Sequence, residues 1–279
     1  MLTMKFRKDF SWMPLFGGMF VVGSVFAQGT TGVTKVESGK FPGMVVDEVV
    51  VPVPSEVFSV LDKLGDNNWH EELRKIKVPD STDRMELALV FGTVVAEGFV
   101  AVQAQDKQAV EDIGHDVIKL SVGLGIKDSV QAHAQSILDA VKKNDWKGVR
   151  KELDLTQATV RGTMERMHDS DLAQSVSLAG WLRGTASVTS VVNKAYTADR
   201  AELLNQPMLV DHFAKSVRSM SQKAQKNPIV KALDTGLGKI RKQMDTPDGN
   251  ITADKIAAMK TTCEELLQLI LKNSTGKNK

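Results

Sequence analysis

The sequence predicts an all-α protein, a multi-helix bundle or helical array of about ten helices with an extended N-terminal arm. Three observations predict it. Capping residues and helix terminators recur from Ser55 to the C-terminus. Apolar side chains between them follow the three-four spacing of one helix face. Only one stretch, "MVVDEVVVPVP" at 44–54, favours extended backbone, and its Pro52 and Pro54 keep it out of a sheet interior.

The elements follow in order. "MKFRKDFSWMPLFGGMFVVGSVFAQ" has a basic start, a short apolar stretch and the small residues Val25 and Ala27. This is the form of a secretory signal peptide over 1–27, cut after Ala27. A periplasmic or secreted location follows from it as an expectation. Residues 28–43, rich in Gly, Thr and Ser, read as a flexible linker. Residues 44–54 form the extended arm, 55–273 a single all-α domain and 274–279 a frayed tail.

Within the domain, Ser55 is expected to cap a helix that Gly65 ends. Asn67 and Asn68 open "WHEELRKIK", which stops before Pro79. Asp83, with Glu86 three residues on, has capping-box spacing. Asp106 caps the following helix, and Gly123 and Gly125 close it. Asp128 opens a helix with Val130, Ala134, Ile137 and Val141 inward. Asp145 opens another, with Val149, Leu153, Val160, Met164 and Met167 inward. A helix starts between Asp169 and Asp171 and runs to about Ala195. Pro207 and Pro228 occupy first-turn positions, where the missing N–H costs nothing. Thr252 caps the last helix. There Ile256, Met259, Cys263, Leu266, Leu267 and Ile270 share one face, which makes Cys263 a core residue rather than a nucleophile.

Composition narrows the function. Removing 1–27 takes away Lys5, Arg7, Lys8 and Asp9, so 36 basic and 34 acidic side chains become 33 and 33. The mature chain is neutral, and nothing in it calls for nucleic acid as a partner. The phosphate loop, the nucleophile elbow and the two-histidine zinc helix are all missing from the sequence. The five histidines lack helical ligand spacing. "DTPDGNITADKI" resembles a calcium loop, yet Lys255 stands where a bidentate glutamate belongs, so it reads as a turn. No cofactor and no metal are expected.

One feature stands out. "LALVFGTVVAEGFVAVQAQ", 87–105, carries a single ionisable group, Glu97. "LAQSVSLAGWLRGTASVTSVVN", 172–193, likewise carries only Arg183. A membrane-spanning reading of the first is poor, because a mid-segment charge costs about 2.5–3.5 kcal/mol on insertion scales. Ala88, Gly92 and Ala96 form a small-residue stripe that lets another helix approach. Two buried helices with one unmatched charge each, of opposite sign, suggest a Glu97–Arg183 pair. The other reading is that each charge reaches water along an exposed helix edge. A pair could be structural, or it could line a polar cavity, with Arg183 taking a ligand anion and Trp181 and Tyr196 as walls. Asp154, Gln157 and Arg161 share another helix face, which reads as a solvated stripe.

The leading expectation is an exported, soluble, non-enzymatic binding or interaction module with a protein partner. The alternative is a small-ligand-binding protein with a polar cavity around Glu97 and Arg183. An enzyme assembled only in three dimensions ranks third. After cleavage the chain is not expected to be an integral membrane protein.

Overall fold

The computed structural model describes residues 44–46, 49–51, 54–65, 67–246 and 249–273. The expected signal peptide, linker and tail lie outside them. The described residues belong to one compact unit, Val36–Lys279. Its architecture is all-α. The extended segment turns back on itself, with β1 (Met44–Val46) pairing antiparallel with β2 (Val49–Val51).

The helices are α1 (Pro54–Lys63), α2 (Arg84–Gln103), α3 (Lys107–Leu124), α4 (Lys127–Lys142), α5 (Trp146–Arg166), α6 (Ser170–Lys194), α7 (Ala198–Glu202), α8 (Pro207–Ser219), α9 (Gln222–Gln225), α10 (Pro228–Met244) and α11 (Ala253–Asn273). Nine of them have ten residues or more. Helix α2 lies at the centre, against α3 on one side and α6 on the other. The chain then continues outward from each: α4 packs on α3 and α5, while α11 packs on α6 and α10, and α10 on α8. By length and composition α2 could cross a membrane, but 72% of its apolar window is buried by neighbouring helices.

Most predicted boundaries have the predicted chemistry. The Asp83 carboxylate accepts from the N–H groups of Met85 and Glu86, and Glu86 reaches back to Ser81 rather than to Asp83 itself. Asp106 caps α3 through Ala109 N–H, and Asp145 caps α5 through Gly148 N–H. Gly65 and Gly125 end α1 and α3 with φ of 75° and 74°, the left-handed region that glycine enters without a Cβ penalty.

Five details differ. Helix α1 begins at Pro54, so Ser55 lies within its first turn rather than capping it. Gly123 is helical and serves packing instead, since a Cβ there would stand 2.6 Å from Leu87 Cδ1. Helix α4 starts at Lys127, which places Asp128 in the first turn, where its charge faces the positive helix end. Met167 is 39% exposed because α5 stops at Arg166 and the chain turns away at His168, φ 56°. The helix expected over "WHEELRKIK" is only a 3-10 turn, Trp69–Glu72, followed by non-helical chain that begins with an extended Leu73. The cause of that last departure lies in the buried site.

Candidate functional site

Helices α2 and α6 approach so closely that side chains are excluded between them. A Cβ on Gly92 would sit 2.1 Å from the Val176 carbonyl oxygen, and one on Gly180 would sit 3.3 Å from the Gly92 carbonyl oxygen. The predicted small-residue stripe thus marks this contact. Most of α2 is covered, as its largely apolar composition requires, and α6 buries 13 of its residues, small Ser and Thr side chains among them.

Glu97 and Arg183 meet inside this contact. Arg183 has no exposed surface and Glu97 is 1% exposed. Arg183 Nε donates to Glu97 Oε2 at 2.6 Å. Nη1 donates to the Ser187 hydroxyl one turn along α6. Nη2 donates to the Glu72 carbonyl at 2.5 Å. The second carboxylate oxygen, Oε1 of Glu97, accepts from the Arg74 backbone N–H at 2.5 Å.

These bonds explain the missing helix. In an α-helix over 69–77, Arg74 N–H would donate to residue 70 and the Glu72 carbonyl would accept from residue 76. Both groups are instead turned to the buried pair. A buried ion pair is tolerated only when its remaining donors and acceptors are satisfied, and residues 72–74 supply two of them.

A second set of charges connects the pair to the surface. The Glu72 carboxylate, itself buried, accepts from the Ser190 hydroxyl at 3.0 Å and from Lys194 at 2.8 Å. Lys194 also reaches Glu71 at 3.0 Å. These bonds, to Glu72 first and then Glu71, raise the Lys194 ammonium above its ordinary value. Lys194, foremost, holds the Glu71 carboxyl below the usual range. The Arg74 guanidinium forks onto Glu264 of α11, with Nη1 at 2.7 Å and Nη2 at 2.5 Å. Burial, the largest single influence, opposes the charge on Arg74, but the carboxylates of Glu264, Glu97 and Glu72 together outweigh it and the guanidinium lies above its ordinary value.

The structure does not bring the four predicted ligand-binding residues into one site. Glu97 and Arg183 meet. Trp181 points its Nε1 to Gln206 at 3.4 Å and tilts against Phe213 at 5.4 Å. Tyr196 is 40% exposed and donates its hydroxyl to the Ile251 carbonyl at 3.0 Å. Among the described residues no cluster of three His, Cys, Asp or Glu side chains could hold a metal. On the predicted stripe of α5, Arg161 pairs with Glu165 one turn away at 2.7 Å. Cys263 is buried, and burial pushes its thiol up to about 12.

The sequence signals neither the Glu72–Lys194 and Arg74–Glu264 contacts nor a further polar group at His133. His133 on α4 lies within 2.6 Å of Glu152 Oε1 and 2.9 Å of Thr159 Oγ1, both on α5. Nothing in the local pattern of either helix signals it, because the contact depends on how α4 and α5 are set against each other. All three side chains are half-buried, and they tie the two helices together.

No family model, curated protein or solved structure matches this chain.

Proposed function

We propose that this chain is exported, loses its first 27 residues and acts outside the cytoplasm as a soluble, non-enzymatic binding module with a protein partner. The observation that carries this reading is the use made of Glu97 and Arg183. Each Arg183 nitrogen donates to an acceptor of the protein itself, and both Glu97 oxygens are taken. The pair ties α2, α6 and residues 72–74 together. A ligand anion at Arg183 would first have to displace Glu97, Ser187 or the Glu72 carbonyl. With the interior charges satisfied by the chain itself, recognition is left to the surface.

One end of the bundle offers apolar surface for that purpose. Val122, in the last turn of α3, is 57% exposed. The exposed Met167 places its Cε 3.5 Å from where a Gly125 Cβ would be, at the same helix end. Two experiments test the reading. N-terminal sequencing of chain recovered from its own cell envelope is expected to begin at Gln28. A photo-crosslinking residue at Val122 or Met167 is expected to yield one discrete adduct in those cells. Recovery of uncleaved chain from the cytoplasm, or absence of any adduct at either position, would overturn it.

A further inference from the structure

The turn between α10 and α11 holds the triplet Asn250-Ile251-Thr252. The fold accounts for its second and third members. Ile251 is buried, and its carbonyl accepts from the Tyr196 hydroxyl at 3.0 Å. Thr252 leads into α11, its carbonyl accepting from Ile256 N–H at 3.0 Å and its hydroxyl from Lys255 N–H at 3.5 Å. On the other side the chain turns at Gly249, φ 74°, whose carbonyl accepts from the Asn205 side chain at 3.3 Å. The backbone is thus held on both sides of Asn250.

Asn250 itself is exposed, and among the described residues its carboxamide has no hydrogen-bond partner. Asparagine in a turn ordinarily bonds the backbone two residues on, and Asn250 makes no such bond. Burial alternates along the triplet. Ile251 goes into the core, while Asn250 and Thr252 are exposed. The first and third members are therefore open to a reagent from outside, and the buried one between them fixes their place.

An Asn-x-Thr triplet, with x other than proline, is the acceptor for N-linked oligosaccharide on exported chains, at surface turns and loops. In the sequence an acidic residue, Asp248, stands two positions before Asn250, as the transferases of a bacterial periplasm require.

We propose that Asn250 is N-glycosylated, from an oligosaccharide carried on a lipid diphosphate. Asn250 Nδ2 forms the bond to the anomeric carbon of the first sugar. The bond from that carbon to the diphosphate oxygen breaks, the lipid diphosphate leaves with the electron pair, and one amide proton passes to a base of the transferase. The step involves no oxidation or reduction. It rests on the export reading, because donor and transferase act beyond the membrane that the chain crosses.

Chain recovered from its own cells tests the assignment, by N-terminal sequencing and by mass spectrometry of tryptic peptides. Residues 243–255 form one such peptide, in which Asn250 is the single asparagine. In chain that begins at Gln28, this peptide is expected to carry the added mass of an oligosaccharide, placed on Asn250 by electron-transfer fragmentation. Asn250→Gln and Thr252→Ala are each expected to abolish the added mass, and Thr252→Ser to retain it. Thr252→Ala also removes a helix cap, so Asn250→Gln, in an exposed turn, carries the test if that variant fails to fold. A second triplet, Asn273-Ser274-Thr275, begins at the last residue of α11, and peptide mapping separates the two. Chain that begins at Gln28 with 243–255 unmodified overturns the glycan and leaves export standing. Uncleaved, unmodified chain in the cytoplasm overturns both. Sugar on Thr246 or Thr252, sugar on Asn273 alone, or added mass that persists in Thr252→Ala would likewise overturn the assignment.

Discussion

Arg183 shows what a buried charge requires of its surroundings. A guanidinium with no exposed surface needs an anion and further acceptors, and here it has Glu97, Ser187 and the Glu72 carbonyl. Removing one member of such a pair costs about 3–5 kcal/mol, because the other is left charged and dry. Arg183→Met and Glu97→Ala are therefore each expected to lower unfolding free energy by about that amount, measured by urea denaturation. The double variant is expected to fall well short of the sum, since the second change removes the charge that the first left unpaired. It is also not expected to regain wild-type stability, because Arg74 N–H and the Glu72 carbonyl would both lose their partners. Full additivity would show that the two side chains do not interact. Cys263 gives a second residue-scale expectation. With its thiol pushed up to about 12 by burial, the folded chain should resist thiol-specific reagents at pH 8 and react only on unfolding. Rapid labelling of the native chain would contradict the burial.

At the scale of elements, the α2–α6 contact depends on the absence of a side chain. Gly92→Ala would place a methyl group 2.1 Å from a backbone oxygen that cannot rotate away. The helices must separate, and a loss of about 1–3 kcal/mol or more is expected, read from thermal and urea unfolding. Helix propensity alone would predict the opposite sign, because alanine is the better helix former. A stabilised Gly92→Ala would show that the helices are not in contact there. The start of α2 gives a milder test. Asp83→Ala removes the acceptor for two N–H groups and is expected to cost about 1 kcal/mol.

For the whole molecule, α2 and α6 join two groups of helices, so the slowest amide exchange is expected in α2 and α6. Acid stability draws on a peripheral clamp. Arg150 of α5 forks onto Asp62 of α1 at 2.7 and 3.0 Å, reaches Gln103 of α2 at 2.9 Å and lies over the Phe58 ring at 4.5 Å. The hydrogen bonds from Arg150, foremost, hold the Asp62 carboxyl below the usual range against the effect of burial. A carboxyl lowered on folding contributes stability above its unfolded value, about 3.9, and loses it as pH falls through the folded value. Asp62→Asn should thus reduce stability near neutrality modestly, given the exposure of the pair, and flatten the decline of stability below about pH 4. An unchanged acid limb of the stability curve would show that Asp62 has no part in it.

Much of this fold is legible from local chemistry. Asp83, Asp106 and Asp145 cap helices because a short acceptor at that point serves N–H groups two or three residues away, which needs no knowledge of the rest of the chain. Gly65 and Gly125 are equally local. The pairing of Glu97 with Arg183 is suggested for a different reason: each is the only charge in its stretch, 87–105 or 172–193, and the structure decides for the pair over an exposed helix edge. Neither the loss of helix over 73–77 nor the contact of His133 with Glu152 could be read in the same way. Trp181 stands two residues from Arg183 on α6 and so faces another direction, while Tyr196 lies past the end of α6; both turn to other partners. Local rules decide where helices begin and end. The packing of α2 against α6 decides which backbone groups must leave a helix to satisfy a charge held out of water.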